Sequence, residues 1–259
     1  MSERQIKLIV AYDGTEYCGF QLQNNGVSVS SRLNQCLSRI AGHPIKITGV
    51  SRTDAGVHAK GQVVTFFLRG SIPTERIALA VNGLLPDDIV VKDAVEIPLH
   101  HYCRRGVVGK HYRYVVRTGQ VSDPFDHRYV WHFPCTLDPQ VIAEAISYVE
   151  GEHDFKAFTA AHSGVEDFTR RVDKIKVIRR DQDWIFDFWG HGFLYKMVRS
   201  LVGYLIDAGR GFFPAGIALE ALATGNRELL GYTAPAKGLT LVKIYYDQQY
   251  YLDKEEILG

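Results

Sequence analysis

Four cysteines in 259 residues, Cys18, Cys36, Cys103 and Cys135, are too few and too widely spaced for a disulfide framework, and no C-x-x-C pair is present. Such usage predicts reduced thiols in a cytoplasmic protein. No signal peptide and no apolar run long enough to span a membrane is visible. The chain has no P-loop, no G-x-G-x-x-G and no G-x-S-x-G, so the common signatures for cradling a nucleotide or activating a serine are missing. Charge of neither sign is in excess, since 30 basic and 29 acidic side chains leave a formal charge of +1. An anionic polymer would have to be held by a local basic face. What the chain does have is apolar content, at 46%, enough for a substantial core in one large domain or two of about 130 residues.

Hydrophobic periodicity predicts the elements. Ile6, Leu8, Val10 and Tyr12 alternate as a strand that stops at Asp13-Gly14. Val29, Leu33, Cys36, Leu37 and Ile40 recur at helical spacing, with Ser28 or Ser30 as N-cap. Strands over 45–50 and 62–68, a helix over 73–82 and a strand through Ile89–Val91 complete a β-α-β-β-α-β order. This is the split β-α-β arrangement, ferredoxin- or RRM-like, with helices on one face of an antiparallel sheet and the other face left for a ligand. The second half echoes it, with strands at 111–117 and near 129–133 and a helix starting at Asp138-Pro139. A hairpin follows over 172–189, then a long apolar helical stripe from Leu194 to Ile206 and a closing strand over 239–246. The expected class is α+β with two similar halves, residues 1–105 and 106–259, joined near 98–109.

Chemistry-bearing residues cluster in a few places. Asp54 lies in the polar turn Val50-Ser51-Arg52-Thr53-Asp54-Ala55-Gly56-Val57-His58-Ala59, between strand-like runs that would fix its carboxylate. An Asp before Ala-Gly is ordinarily a turn residue bonding its own backbone, but a turn needs neither the guanidinium of Arg52 nor the hydroxyl of Thr53. Arg104, Arg105, Lys110, His111, Tyr112, Arg113 and Tyr114 form a basic run with interleaved aromatics. Strand alternation puts Tyr112 and Tyr114 on one face and sets His111 and Arg113 toward phosphate on the other; a solvated strand with two core tyrosines fits equally. Arg170, Arg171, Lys174, Lys176, Arg179 and Arg180 make a second positive segment. Arg199 sits on the flank of the long helical stripe, where an arginine either reaches into a cleft or snorkels from the core edge. His100, His101 and Cys103 lack a fourth ligand, and adjacent imidazoles on a strand diverge, so no metal is expected.

Taken together, these segments resemble the tRNA pseudouridine synthase A family over most of the chain. The matching pieces are Tyr12-Asp13-Gly14-Thr15 with Tyr17, Gly19-Phe20-Gln21 and Gln23; Arg52 to Ala59 with Gly61-Gln62-Val63; and Asn82-Gly83-Leu84-Leu85-Pro86. In the same order follow Lys110 with Tyr112 and Tyr114, Gly151 with His153-Asp154-Phe155, Phe193-Leu194-Tyr195 with Met197-Val198-Arg199, and Gly238-Leu239 with Leu241. The resemblance implies the pseudouridine synthase fold with a central active-site cleft. It implies isomerisation of uridine to pseudouridine at positions 38, 39 and 40 of the tRNA anticodon stem-loop, by a homodimer, without cofactor or metal. It makes Asp54 the catalytic aspartate, Tyr112 the active-site aromatic, Arg199 the arginine that pairs with the carboxylate, and Arg52 the arginine beside the flipped base. Arg104 and Lys110 are carried over as substrate-binding residues.

An aspartate ordinarily ionises near about 3.9, lower beside an arginine, so Asp54 should be a carboxylate at neutral pH and act as nucleophile or base. Ser51 stands where the family usually has glycine, Cys103 where alanine commonly precedes the matched arginine, and Ser200 where asparagine often follows it. If the backbone before Arg52 needs positive φ, Ser51 is strained by roughly 1–3 kcal/mol. A catalytically silent tRNA-binding protein, and a pseudouridine synthase acting on another RNA, fit the same segments.

Overall fold

The computed structural model describes residues 3–23, 26–101, 103–160 and 165–252. In chain order the elements begin β1 (Glu3–Tyr12), α1 (Val29–Ala41), β2 (Thr48–Gly49), β3 (His58–Arg69), α2 (Thr74–Asn82), β4 (Ile89–Ile97), β5 (Gly109–Arg117) and β6 (Trp131–His132). They continue as α3 (Pro139–Ser147), β7 (Gly151–Asp154), β8 (Thr169–Arg180), β9 (Asp183–Gly190), α4 (Met197–Gly209), α5 (Ile217–Thr224) and β10 (Leu239–Tyr245). The class is α+β with mainly antiparallel pairing, as the periodicities predict. Two compact units result: Met1–Val107 with Thr240–Tyr246, and Val108–Leu239 with Asp247–Gly259.

In the first unit β4, β1 and β3 pair antiparallel in that order, and β2 adds antiparallel to β3. β10, which sequence order alone places in the second half, lies parallel to β3, with Thr240 and Leu241 opposite His58 and Ala59. Strict alternation on β1 buries Ile6, Leu8 and Val10 completely. Helix α1 begins with a reciprocal cap, in which Ser31 N–H donates to Ser28 Oγ at 3.1 Å and Ser28 N–H donates to Ser31 Oγ at 3.2 Å. The strand expected over 45–50 contracts to Thr48–Gly49 because its donors are used elsewhere. Ile45 N–H donates to Ser38 Oγ at 2.7 Å and Ile47 N–H to Asn34 Oδ1 at 2.9 Å, both on α1.

In the second unit β5, β9, β8 and β7 pair antiparallel in that order, with β6 parallel to β5. The strand expected near 129–133 shortens to Trp131–His132, since the N–H groups of Tyr129 and Val130 turn back onto the Asp126 carbonyl at 2.8 and 3.1 Å. Asp138 caps α3 by accepting from Gln140 N–H at 2.8 Å, with Pro139 in the first turn where its missing donor costs nothing. Helix α4 is apolar nearly all round and is buried accordingly. Twelve of its thirteen residues are buried, and the exception is Arg199.

Candidate active site

Asp54 occupies a half-buried position in the loop between β2 and β3 of the first unit. The loop is closed at its base by Val50 N–H donating to the Val63 carbonyl at 2.9 Å. Inside that closure the fully buried Gln62 side chain reads both backbone groups of Ser51: its Oε1 accepts from Ser51 N–H at 3.2 Å and its Nε2 donates to the Ser51 carbonyl at 2.7 Å. Ser51 is not among the non-glycine residues of positive φ, which are His100, Asp181, Lys196 and Leu252 among those described. The strain expected at Ser51 is therefore absent. Serine is not held in a left-handed backbone here, and the amide of Gln62 satisfies both of its backbone groups.

The other side of the loop is held by the segment that follows β1. Tyr12 OH lies 2.7 Å from Thr53 Oγ1, and Gln62 Nε2 donates to Tyr12 OH at 3.4 Å. Phe20 N–H donates to the Thr53 carbonyl at 3.1 Å, and Gly56 N–H to the Tyr17 carbonyl at 3.3 Å. This approach is so close that Gly19 and Gly14 cannot carry a side chain. A β-carbon on Gly19, whose φ is +105°, would sit 2.9 Å from the Thr53 carbonyl oxygen, and one on Gly14 would sit 2.0 Å from that of Val57. Gly14 N–H donates to His58 Nδ1 at 3.1 Å, and Asp13 Oδ1 lies at the same distance from that nitrogen. The matched glycines thus trace to contact with the backbone on either side of Asp54.

Two cations accompany Asp54 in this unit. Arg52 is exposed one residue beyond Ser51, and Arg104 donates through Nε and Nη2 to the Gly49 carbonyl at 2.8 and 2.7 Å. Partial burial, and then the positive charge of Arg52, hold the Arg104 guanidinium below its ordinary pKa. A cleft of about 600 Å³ in the same unit is lined by Arg32, Arg39, Glu16 and Asp88, and by none of the candidate residues.

The second unit carries Lys110, Tyr112 and Arg199. Tyr112 is buried on β5 opposite Phe188 and meets Phe193 edge-on, with ring centroids 5.4 Å apart. Lys110 is half-buried on the same strand, opposite Gly190. Arg199 stands in the first turn of α4, where Nε donates to the Ala234 carbonyl at 2.7 Å and its own carbonyl accepts from Ala234 N–H at 3.1 Å. Burial pushes the Tyr114 hydroxyl well above its ordinary pKa, while the charge of Arg199 opposes the shift. The basic face expected on β5 is differently used. His111 and Arg113 do not point to phosphate but to the buried Asp187 of β9, His111 Nε2 at 2.7 Å and Arg113 through Nε and Nη2 at 2.8 Å each. On β8, likewise, Arg171 bonds Asp173 and Lys174 bonds Glu150.

Comparison with known proteins places this arrangement. The tRNA pseudouridine synthase family model matches residues 8–104 and 145–247. The chain belongs to the tRNA pseudouridine synthase family. The tRNA pseudouridine synthase A of Brevibacillus brevis is 40% identical over 244 residues, covering 94% of this chain and 100% of that one. That of Moorella thermoacetica is 41% identical over 243 residues, covering 93% and 99%. Among solved structures, one from a Cbf5–Nop10–Gar1 complex matches at 15% identity and a TM-score of 0.37, over 78% of this chain and 45% of that one, too slight a likeness to bear on mechanism. Members of the tRNA pseudouridine synthase family are isomerases, and within the matched stretches of this member fall Arg52, Asp54, Arg104 and Arg199. Lys110 and Tyr112 lie between those stretches.

For a member of the tRNA pseudouridine synthase family, the first unit offers a carboxylate on a loop pinned from both sides, with the candidate guanidinium groups of Arg52 and Arg104 in the same unit. That is a setting for a nucleophile or base working beside an anionic substrate. Among the described residues no group of three or more His, Cys, Asp and Glu side chains could hold a metal ion, and no helix is long and apolar enough to cross a membrane. Sequence reasoning quoted Tyr12, Thr53 and Gln62 without assigning them a task; a lone glutamine in the apolar run Gln62–Val64 was the available signal. Arg227, which donates to Ser200 Oγ and Thr233 Oγ1 beside Arg199, had none.

Proposed function

We propose that the protein isomerises uridine to pseudouridine at positions 38, 39 and 40 in the anticodon stem-loop of tRNA, acting as a homodimer, with Asp54 as its catalytic residue. The observation that carries the reading is the position of Asp54 on a loop pinned from two sides, inside the first stretch that matches the tRNA pseudouridine synthase family. The reaction breaks the bond from ribose C1′ to uracil N1, turns the base, and rejoins C1′ to C5. The proton on C5 is lost to solvent and N1 gains one, so no atoms or electrons enter from a third party. Asp54 serves as nucleophile toward C6 or C1′, or as the base that removes a sugar proton while the uracil leaves.

A uridine inside a stem-loop must be flipped out, at a cost of roughly a few kcal/mol. Stacking on one aromatic returns about 1–3 kcal/mol, which is the role assigned to Tyr112. Arg52 fills the vacated space and pairs with phosphate, Arg104 and Lys110 hold the substrate, and Arg199 supplies positive charge to the reaction.

The test is release of tritium from unmodified tRNA labelled at uracil C5, using wild type, Asp54→Asn and Tyr112→Phe whose solution mass has been measured by sedimentation. Expected are a dimer, release by wild type, release at least about 1,000-fold slower by Asp54→Asn, and a partial loss with Tyr112→Phe. Wild-type rates from Asp54→Asn would remove Asp54 from the mechanism. Binding of tRNA without release by any form would point instead to another RNA or to a silent binding protein.

A further inference from the structure

We infer that Tyr12, Thr53 and Gln62 act as a unit that positions Asp54, so that turnover, rather than folding or tRNA binding, is what they set. The inference rests on the reading of Asp54 given above. Loop backbones ordinarily satisfy their polar groups with water. Here Ser51 and Thr53 are buried, at 3% and 7% exposure, and the groups that replace water come from β1 and β3. Gln62 is wholly buried just before the buried Val63 and Val64 on β3, a place where an unbonded amide would cost about 1–3 kcal/mol. Its amide has three bonds to the loop system: Ser51 N–H, the Ser51 carbonyl and Tyr12 OH.

Gln62 donates to the Tyr12 oxygen, and the same hydroxyl is hydrogen-bonded to Thr53 Oγ1 at 2.7 Å. A continuous polar chain therefore runs from Ser51 through Gln62 and Tyr12 to Thr53, the residue bonded to Asp54. The Thr53 carbonyl is fixed separately by Phe20 N–H at 3.1 Å. Both backbone groups of Ser51, and the carbonyl and hydroxyl of Thr53, are thus held by groups outside the loop. Fully connected buried networks of this kind specify one conformation, and displacement of a reacting group by about 1 Å is enough to cost on the order of 100-fold in rate.

The experiment is single-turnover tritium release with enzyme in excess, run beside tRNA affinity and thermal melting, on Tyr12→Phe, Thr53→Val, Thr53→Ser, the Tyr12→Phe/Thr53→Val pair and Asp54→Asn. Tyr12→Phe and Thr53→Val are expected to slow release by about 10–100-fold with tRNA affinity within about twofold of wild type. Thr53→Ser, which keeps the hydroxyl, should restore most of the rate, and the double variant should be no slower than the slower single, since both singles already remove the Tyr12–Thr53 bond. Wild-type release from both single variants, with Asp54→Asn inactive, overturns the inference while leaving Asp54 in place. Parallel losses of rate, affinity and melting temperature also overturn it, by reducing the network to a folding role. Wild-type release from Asp54→Asn defeats the reading on which it rests.

Discussion

Asp187 has 1% of its surface exposed, and three donors from two neighbouring strand residues converge on its carboxylate. Burial pushes this carboxyl up, but the hydrogen bonds from His111 and Arg113 outweigh it and hold the group below the ordinary carboxylate range. A depressed folded-state pKa contributes stability that is complete above the unfolded value of about 3.9 and disappears as pH falls through the folded one. Acid unfolding of wild type should therefore steepen below about pH 4. Asp187→Asn should remove that dependence and cost about 1–3 kcal/mol at neutral pH, because the hydrogen bonds from His111 and the partly exposed Arg113 lose their charged acceptor. Urea titrations across pH would check both, and equal pH slopes in the two proteins would contradict the assignment. The same residue shows what a sequence conceals. His111 and Arg113 were legible as one face of a strand, but a partner 74 residues from Arg113 carries no local signal. Asp54 was legible because its loop residues are contiguous, whereas the conformation of Ser51 depends on a glutamine across the loop.

Helix α4 poses a contest between two terms that a melting curve can resolve. Gly203 lies in its middle, where glycine is about 1 kcal/mol worse than alanine by propensity alone. A β-carbon there would lie 2.1 Å from the Tyr232 carbonyl oxygen, a backbone atom that cannot swing away. Overpacking of a tight core costs about 1–3 kcal/mol, so Gly203→Ala should lower the melting temperature despite the better helix former. A raised melting temperature would mean that the 231–235 segment yields easily. That segment also receives Arg199 through Ala234, so tritium release should fall in the same variant. The long periodic elements β1, α1, α2, α3, β5, β9 and α4 were readable from their spacing. The four-residue β7 and the eight-residue α5 were not, since neither spans enough turns or alternations to show a period. For β2 and β6, apolar composition overstated strands whose donors are diverted to side chains and turns.

For the molecule as a whole, a formal charge of +1 means that tRNA is attracted by placed cations rather than by bulk charge. Affinity should fall steeply between 50 and 200 mM salt, roughly tenfold for each two phosphate contacts. Arg52→Ala should lower the slope of log affinity against log salt by about 0.7–0.9, as expected for one lost phosphate contact. Fluorescence anisotropy across a salt series reads this slope, and an unchanged slope would show that Arg52 meets the base alone. Nothing in local periodicity tells a strand which distant neighbour it will take.

That choice of neighbour bears on how the protein is made. β10 comes to lie beside β3 at His58 and Ala59, where the Asp54 loop ends. On a ribosome, residues up to 107 are available long before Thr240, and at about 5–20 residues per second the interval is on the order of 10 s. Until then the His58–Ala59 end of β3 lacks the partner it has in the finished fold, and an open strand edge invites pairing with the wrong partner. The nascent first unit therefore waits, incomplete beside the Asp54 loop, for a strand that translation supplies only after β5 to β9 and α3 to α5.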